Sequence, residues 1–159
     1  MKFDLVVLVF FSLLSVGLLI WTGVKGRESL RALYALAISA DFYSVLSNTI
    51  GISLGYWDHH TRFLPKVFET SIVYDLLFFP ALIVLYVTYM PDEWGRKLLY
   101  SLLWVLGVCI LEHLVEHYTG VLDYHNGWNI YKTAGLYFLT YWLFYGLYVW
   151  LARSPVRRS

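Results

Sequence analysis

Glu112-His113-Leu-Val-Glu116-His117 puts four ionisable side chains at the end of an apolar run long enough to cross a membrane. Charge at such a depth is costly and marks ion or proton handling, ligand capture or buried pairing. At about 100° per residue the four share a helical arc of roughly 140°, and Cys109 falls within it one turn back. Histidines at i and i+4 can grip one metal ion. The spelling His113-x-x-Glu116-His117 is also the inverted zinc-protease pattern, with Glu116 as general base. A divalent metal ion is the cofactor that pattern would take. It would need a further protein ligand, which spacing does not announce; Asp75 and His125 are the candidates. The opposing reading leaves these residues at the water boundary, solvated or paired with Arg62, Lys66 or Lys132.

Two more acids lie inside apolar runs. Asp41 sits about eleven residues into its run, near mid-bilayer at about 1.5 Å per residue. Ser44 and Asn48 follow it at i+3 and i+7 with Gly51 nearby, a polar and small stripe that should face other helices. Asp41 is either hydrogen-bonded glue between helices or a proton-handling group. Asp75 precedes Pro80 in Tyr74-Asp75-Leu-Leu-Phe-Phe-Pro80. A proline inside a helix frees the carbonyl four residues back, here that of Leu76, and so suggests a small polar pocket beside the carboxylate or an ordinary kink. Tyr137, Tyr141, Tyr145 and Tyr148 form a stripe whose hydroxyls can satisfy Asp41 or Asp75.

The elements that must position these groups are helices in lipid. With 59% hydrophobic and 14% charged residues over 159 positions, the chain carries more apolar surface than a soluble domain of this size can bury. Net charge of +1 gives no reason to expect a nucleic-acid partner, and one cysteine excludes an intrachain disulfide or a Cys-only metal site. Five apolar runs each reach the length of a span: Leu5 to Val24, Ala32 to Tyr56, Thr70 to Met90, Leu98 to Tyr118 and Thr133 to Ala152. The first reads as a span rather than a cleaved secretory signal. The expected architecture is an all-α, five-helix transmembrane bundle, one domain over 1–159. Lys25, Arg27, Arg31, Arg96, Lys97, Arg153, Arg157 and Arg158 fall on one side of it, against Lys2, Arg62, Lys66 and Lys132. The positive-inside rule then sets the N-terminus outside and the C-terminus in the cytoplasm. Interfacial aromatics agree, with Trp21, Trp94 and Trp150 at the inner boundary and Trp57, Tyr118, Trp128 and Tyr131 at the outer one. All five histidines, with Asp75 and Glu112, then belong to the outer part of the bundle.

Tyr74-Asp75-Leu-Leu-Phe-Phe-Pro80, Glu112-His113-Leu-Val-Glu116 and Gly127-Trp128-Asn129 with Tyr131 resemble, over about half the chain, a family of small multi-pass proteins of spore-forming Gram-positive bacteria. The resemblance implies a bacterial plasma membrane and names no reaction. It also implies that Asp75, Glu112, His113 and Glu116 are the shared core, with lysine often standing at the position of His117, which disfavours a two-histidine zinc site.

Three functions are therefore expected to compete. The first is a non-enzymatic membrane protein holding a cation or proton among Asp41, Asp75, Glu112, His113 and Glu116. The second is a metal-dependent membrane enzyme using His113, Glu116 and His117. The third is a structural or partner-binding subunit. The lipid bilayer is the partner composition requires; a homo-oligomer or a membrane-protein partner stays open.

Overall fold

A computed structural model of the chain describes residues 2–25, 30–59, 71–119 and 121–153. Helix α1 covers Lys2–Lys25 and α2 covers Leu30–Ser53. A two-residue strand β1, Trp57–Asp58, precedes a third helix that begins as a π-helical turn, Tyr74–Phe78, and continues as α3, Phe79–Thr88. Helix α4, Trp94–Tyr118, strand β2, Asp123–Tyr124, and helix α5, Ile130–Arg153, complete the chain. Among the described residues the fold is all-α with five helices, as expected. The expectation that every run reaches spanning length is met by three: Arg31–Ser53, Trp94–Tyr118 and Ile130–Ala152 are long and apolar enough to cross a membrane. Val6–Thr22 and Tyr74–Thr88 are shorter apolar helices.

The third helix is apolar all round because it is the centre of the bundle. Ile83 and Tyr86 are fully buried, with Leu36 and Ala40 of α2 and Tyr141 of α5 packed in the same core. Helices α1 and α2 lie against it, and α4 lies mainly on α5. At the end away from Asp75 the seam to α4 is aromatic. Tyr86 hydrogen-bonds Ser101 at 2.7 Å and stacks on Tyr100 with ring centroids 5.4 Å apart. The outward face of α4 carries Leu98, Leu99, Leu102, Leu103, Leu106, Ile110 and Leu114 exposed in one apolar sheath, a surface suited to lipid rather than water.

Pro80 explains the π turn. Its missing N–H cannot close an α-helical turn, and the Phe79 N–H bonds the Tyr74 carbonyl five residues back. The widened turn carries both Asp75 and Phe78 into the interior. The predicted polar break therefore takes the form of a bulge that re-aims the carboxylate.

Helix α2 ends at Gly55, whose φ of 70° is open to glycine at little cost. The Tyr56 N–H then bonds the Gly51 carbonyl and the Gly55 N–H that of Ile52, a Schellman closure that turns the chain back along the last helical turn. Trp57 is delivered onto Gly51. The ribbon β1–β2 pairs Trp57 with Tyr124 and Asp58 with Asp123, antiparallel. The Asn126 side chain donates to the Gly55 carbonyl at 2.9 Å and fastens the following turn to it.

A Cβ at position 51 would lie 2.0 Å from the Trp57 ring, so the indole must leave. Gly51→Ala gains about 1 kcal/mol of helix propensity. It loses about 1–3 kcal/mol to overpacking and sets Trp57 free. Thermal unfolding in detergent should show a net loss of stability, with tryptophan emission shifted to longer wavelength before the main transition.

Candidate functional site

The end of the bundle where α1 begins, α2 ends, the third helix begins, α4 ends and α5 begins forms a partly open chamber of about 110 Å³. Its walls are mainly aliphatic and aromatic side chains such as Leu8, Phe11, Phe78, Val108, Leu111 and Leu136. Trp57, Tyr124 and Trp128 roof it. The Trp57 and Trp128 rings meet edge to face at 5.0 Å, and Tyr56 lies 5.0 Å from Trp128. Leu8, Val73 and Val121 seal one side with Phe11 and Val115.

Glu112 is the acid on the chamber wall. The hydroxyls of Tyr124 and Tyr137 lie beside its carboxyl group, while Oε2 is buried with no hydrogen-bonding partner among the described residues. Its donors run in relay. The Trp128 indole N–H donates to Thr133 Oγ1 at 2.8 Å, and the Thr133 hydroxyl to the Tyr124 oxygen at 3.1 Å, leaving the Tyr124 proton for Glu112. Tyr74 and Tyr137 share a short hydroxyl–hydroxyl bond, so one donation can pass from Tyr74 through Tyr137 to the same acid. Burial, and then the charge of Glu112, push the Tyr124 phenol well above the ordinary tyrosine range, so it serves as a donor at any physiological pH.

Asp75, with 0% exposure, lies behind the wall. Ser44 Oγ donates to its Oδ1 at 2.7 Å and Asn48 Nδ2 donates to the same oxygen. Asn48 Oδ1 in turn accepts from the Trp57 indole N–H at 3.0 Å. Asp75 Oδ2 has no partner among the described residues. The stripe Ser44–Asn48–Gly51 does face the bundle interior, but it serves Asp75. Asp41 lies near enough for its charge to act with that of Asp75, and its own Oδ1 is buried without a partner among the described residues. The tyrosine stripe supplies Glu112 and Tyr74 rather than Asp41 or Asp75: Tyr137 takes those bonds, and the Tyr141 hydroxyl has no hydrogen-bonding partner among the described residues.

The arc on α4 divides. Cys109 is buried and Glu112 faces the chamber, whereas the His113 side chain is 64% exposed and His117 is exposed. Glu116, with 27% of its side chain exposed, lies between and accepts from His113 Nδ1 at 3.3 Å. The His113 and His117 rings stack with centroids 6.2 Å apart. Among the described residues no three His, Cys, Asp or Glu side chains converge as metal ligands, and the bond between His113 and Glu116 occupies two of the three named for the zinc pattern. Lys132 donates to the Gly127 carbonyl at 2.6 Å rather than to an acid. Arg62, Lys66 and His60 lie outside the described residues. His59 is buried, its Nδ1–H donating to the Val121 carbonyl at 2.8 Å, and His125 is exposed, linked to the ribbon through its backbone.

Sequence reasoning missed Tyr124, Tyr74, Thr133 and the roof. Asn126-Gly127 was the available signal. Both residues have positive φ, 49° and 73°, and the Trp128 N–H closes the turn on the His125 carbonyl at 2.9 Å, the geometry Asn-Gly favours. No family model, curated protein or solved structure matches this chain, so the chamber and its two acids are the ground on which a function rests.

Proposed function

We propose that this chain is a five-span protein of the bacterial plasma membrane, N-terminus outside and C-terminus cytoplasmic, that holds a cation or proton at Glu112 and couples it to the roof of its chamber without catalysing a reaction. One observation carries the reading. Glu112 is a chamber-wall acid with two tyrosine hydroxyls beside its carboxyl and a buried oxygen that has no partner among the described residues. Donors aimed at a carboxyl group stabilise its charge, and the spare oxygen accepts what neutralises it. The coupling follows from the relay, because the donor chain to Glu112 begins on Trp128 and that to Asp75 begins on Trp57. Asp75, behind the wall, anchors α2 to the third helix on this reading. His113 and Glu116, predicted to belong to the same cluster, form a surface pair on this reading.

The sidedness rests on the distribution of Lys and Arg and on the interfacial aromatics, and the bacterial membrane on the resemblance of the three sequence blocks. On this reading the shorter apolar helices Val6–Thr22 and Tyr74–Thr88 span as well, Tyr74–Thr88 packing against α2 and α5 and Val6–Thr22 packing against Tyr74–Thr88.

Infrared difference spectra between acid and alkaline pH test the site. A carboxyl C=O band should respond to pH in the wild type and in Glu116→Gln but vanish in Glu112→Gln; a spectrum unchanged by Glu112→Gln would overturn the assignment. Orientation has its own test in a Cys109→Ser background. Tyr131 is 84% exposed at the roof end and Trp94 is exposed at the other. Tyr131→Cys should react with an impermeant maleimide on intact cells, and Trp94→Cys only after permeabilisation.

A further inference from the structure

From the chamber's lining we infer that its ligand is a small alkylammonium ion, a protonated amine of about five heavy atoms in all, bound with its charge on Glu112. This rests on the reading of Glu112 as a cation holder and names the class of cation.

Size comes first. A cavity of about 150 Å³ with aliphatic and aromatic walls admits benzene. At about 110 Å³ the chamber takes a body slightly smaller, such as a four-carbon chain with its nitrogen. Sign comes second. Glu112 lines the chamber, and no Lys or Arg does so among the described residues, so an anion would meet only repulsion and desolvation. Coordination comes third. Hard metal cations of the calcium class want six to eight oxygens, often from several carboxylates, and among the described residues only one carboxylate reaches the wall, since Asp75 is turned to Ser44 and Asn48. An ammonium group asks for only three acceptors. Glu112 and Ser71 both line the chamber, Glu112 Oε2 and Ser71 Oγ are buried without partners among the described residues, and the tyrosine oxygens beside Glu112 have lone pairs to offer. The Trp57 and Trp128 rings of the roof add faces to which a cation is drawn. Apolar walls suit the alkyl body, which a hydrated inorganic ion would not use.

The probes are n-butylamine, its neutral isostere n-butanol and the anion butyrate, titrated calorimetrically at neutral pH into the full chain in lipid nanodiscs. Butylammonium should bind and butyrate should not, with butanol weaker than the amine. Glu112→Gln should weaken butylammonium about thirtyfold or more, the loss expected on removing one member of a buried charge pair, and leave butanol almost unchanged. Val108→Phe, which fills the chamber while keeping the acid, should abolish both, and it carries the test if Glu112→Gln does not assemble. Equal binding of butanol and butylamine, or amine binding that survives either substitution, would overturn the inference. If no amine binds while the Glu112 carboxyl band still follows pH, the amine class falls and proton holding stands. If both fail, the site itself falls.

Discussion

Two carboxyl groups buried in the same apolar end of the bundle are the constraint on which the rest of this structure depends. An isolated buried carboxylate is among the most costly groups a fold can contain, and hydrogen bonds to a charged group return about 1.5–3 kcal/mol each. Asp75 receives two such donors from α2, while the Tyr124 and Tyr137 hydroxyls, from the ribbon and from α5, lie beside Glu112. Asp75 thereby fixes the position of α2 against the third helix. Glu112 fixes α4 against α5 and against the ribbon that carries Tyr124. The π turn, the glycine under Trp57 and the Asn-Gly turn are the backbone devices that bring those donors within reach.

The two donor chains differ in what they leave open. Asp75 is enclosed by α2 and has no face on the chamber, so its role is anchoring in the geometry seen here. Glu112 lines the chamber together with the tyrosines whose hydroxyls lie beside it. A relay of hydroxyls also polarises along its length, so the donation to Glu112 is stronger than that of a lone tyrosine, and it weakens if any link is removed. Removing the Trp128 link would leave Thr133 and Tyr124 in place but without the donor that starts the chain.

Much of the architecture was legible in the sequence because lipid imposes a coarse rule: apolar runs become helices, and the polar residues within them face inward. Asp75 inside, the Ser44–Asn48 stripe turned to the core and the break before Pro80 all follow from that rule. The division of the α4 arc does not. Positions 112, 116, 109, 113 and 117 are spread at about 0°, 40°, 60°, 100° and 140°, and hydropathy cannot say where an arc that wide meets the core. The packing of α4 on α5 draws the line between Glu116 and His113, which leaves both histidines outside. The roof was illegible for another reason: two-residue strands have no periodicity to read, and Tyr124 gains its partners only through a pairing between residues 57 and 124.

The contact between Trp57 and Trp128 makes the two acids parts of one device on the proposed reading. Each indole N–H begins a chain that ends on a carboxyl group, and the two rings touch, so neither chain can shift without moving the ring that anchors the other. The strength of that coupling is bounded by the bonds involved. A change in charge at Glu112 alters its donor bonds by at most the difference between a charged and a neutral hydrogen bond, about 1–2 kcal/mol. Through Boltzmann weighting this shifts an equilibrium between closed and open roof by about five- to thirtyfold. A shift of that size does not suffice to switch a fully closed population to a fully open one, which takes about 5.5 kcal/mol. It suffices only where two arrangements of the roof lie within about 2 kcal/mol of each other, which is what the proposed reading requires of the two indole bonds and the packing of Trp57 on Gly51.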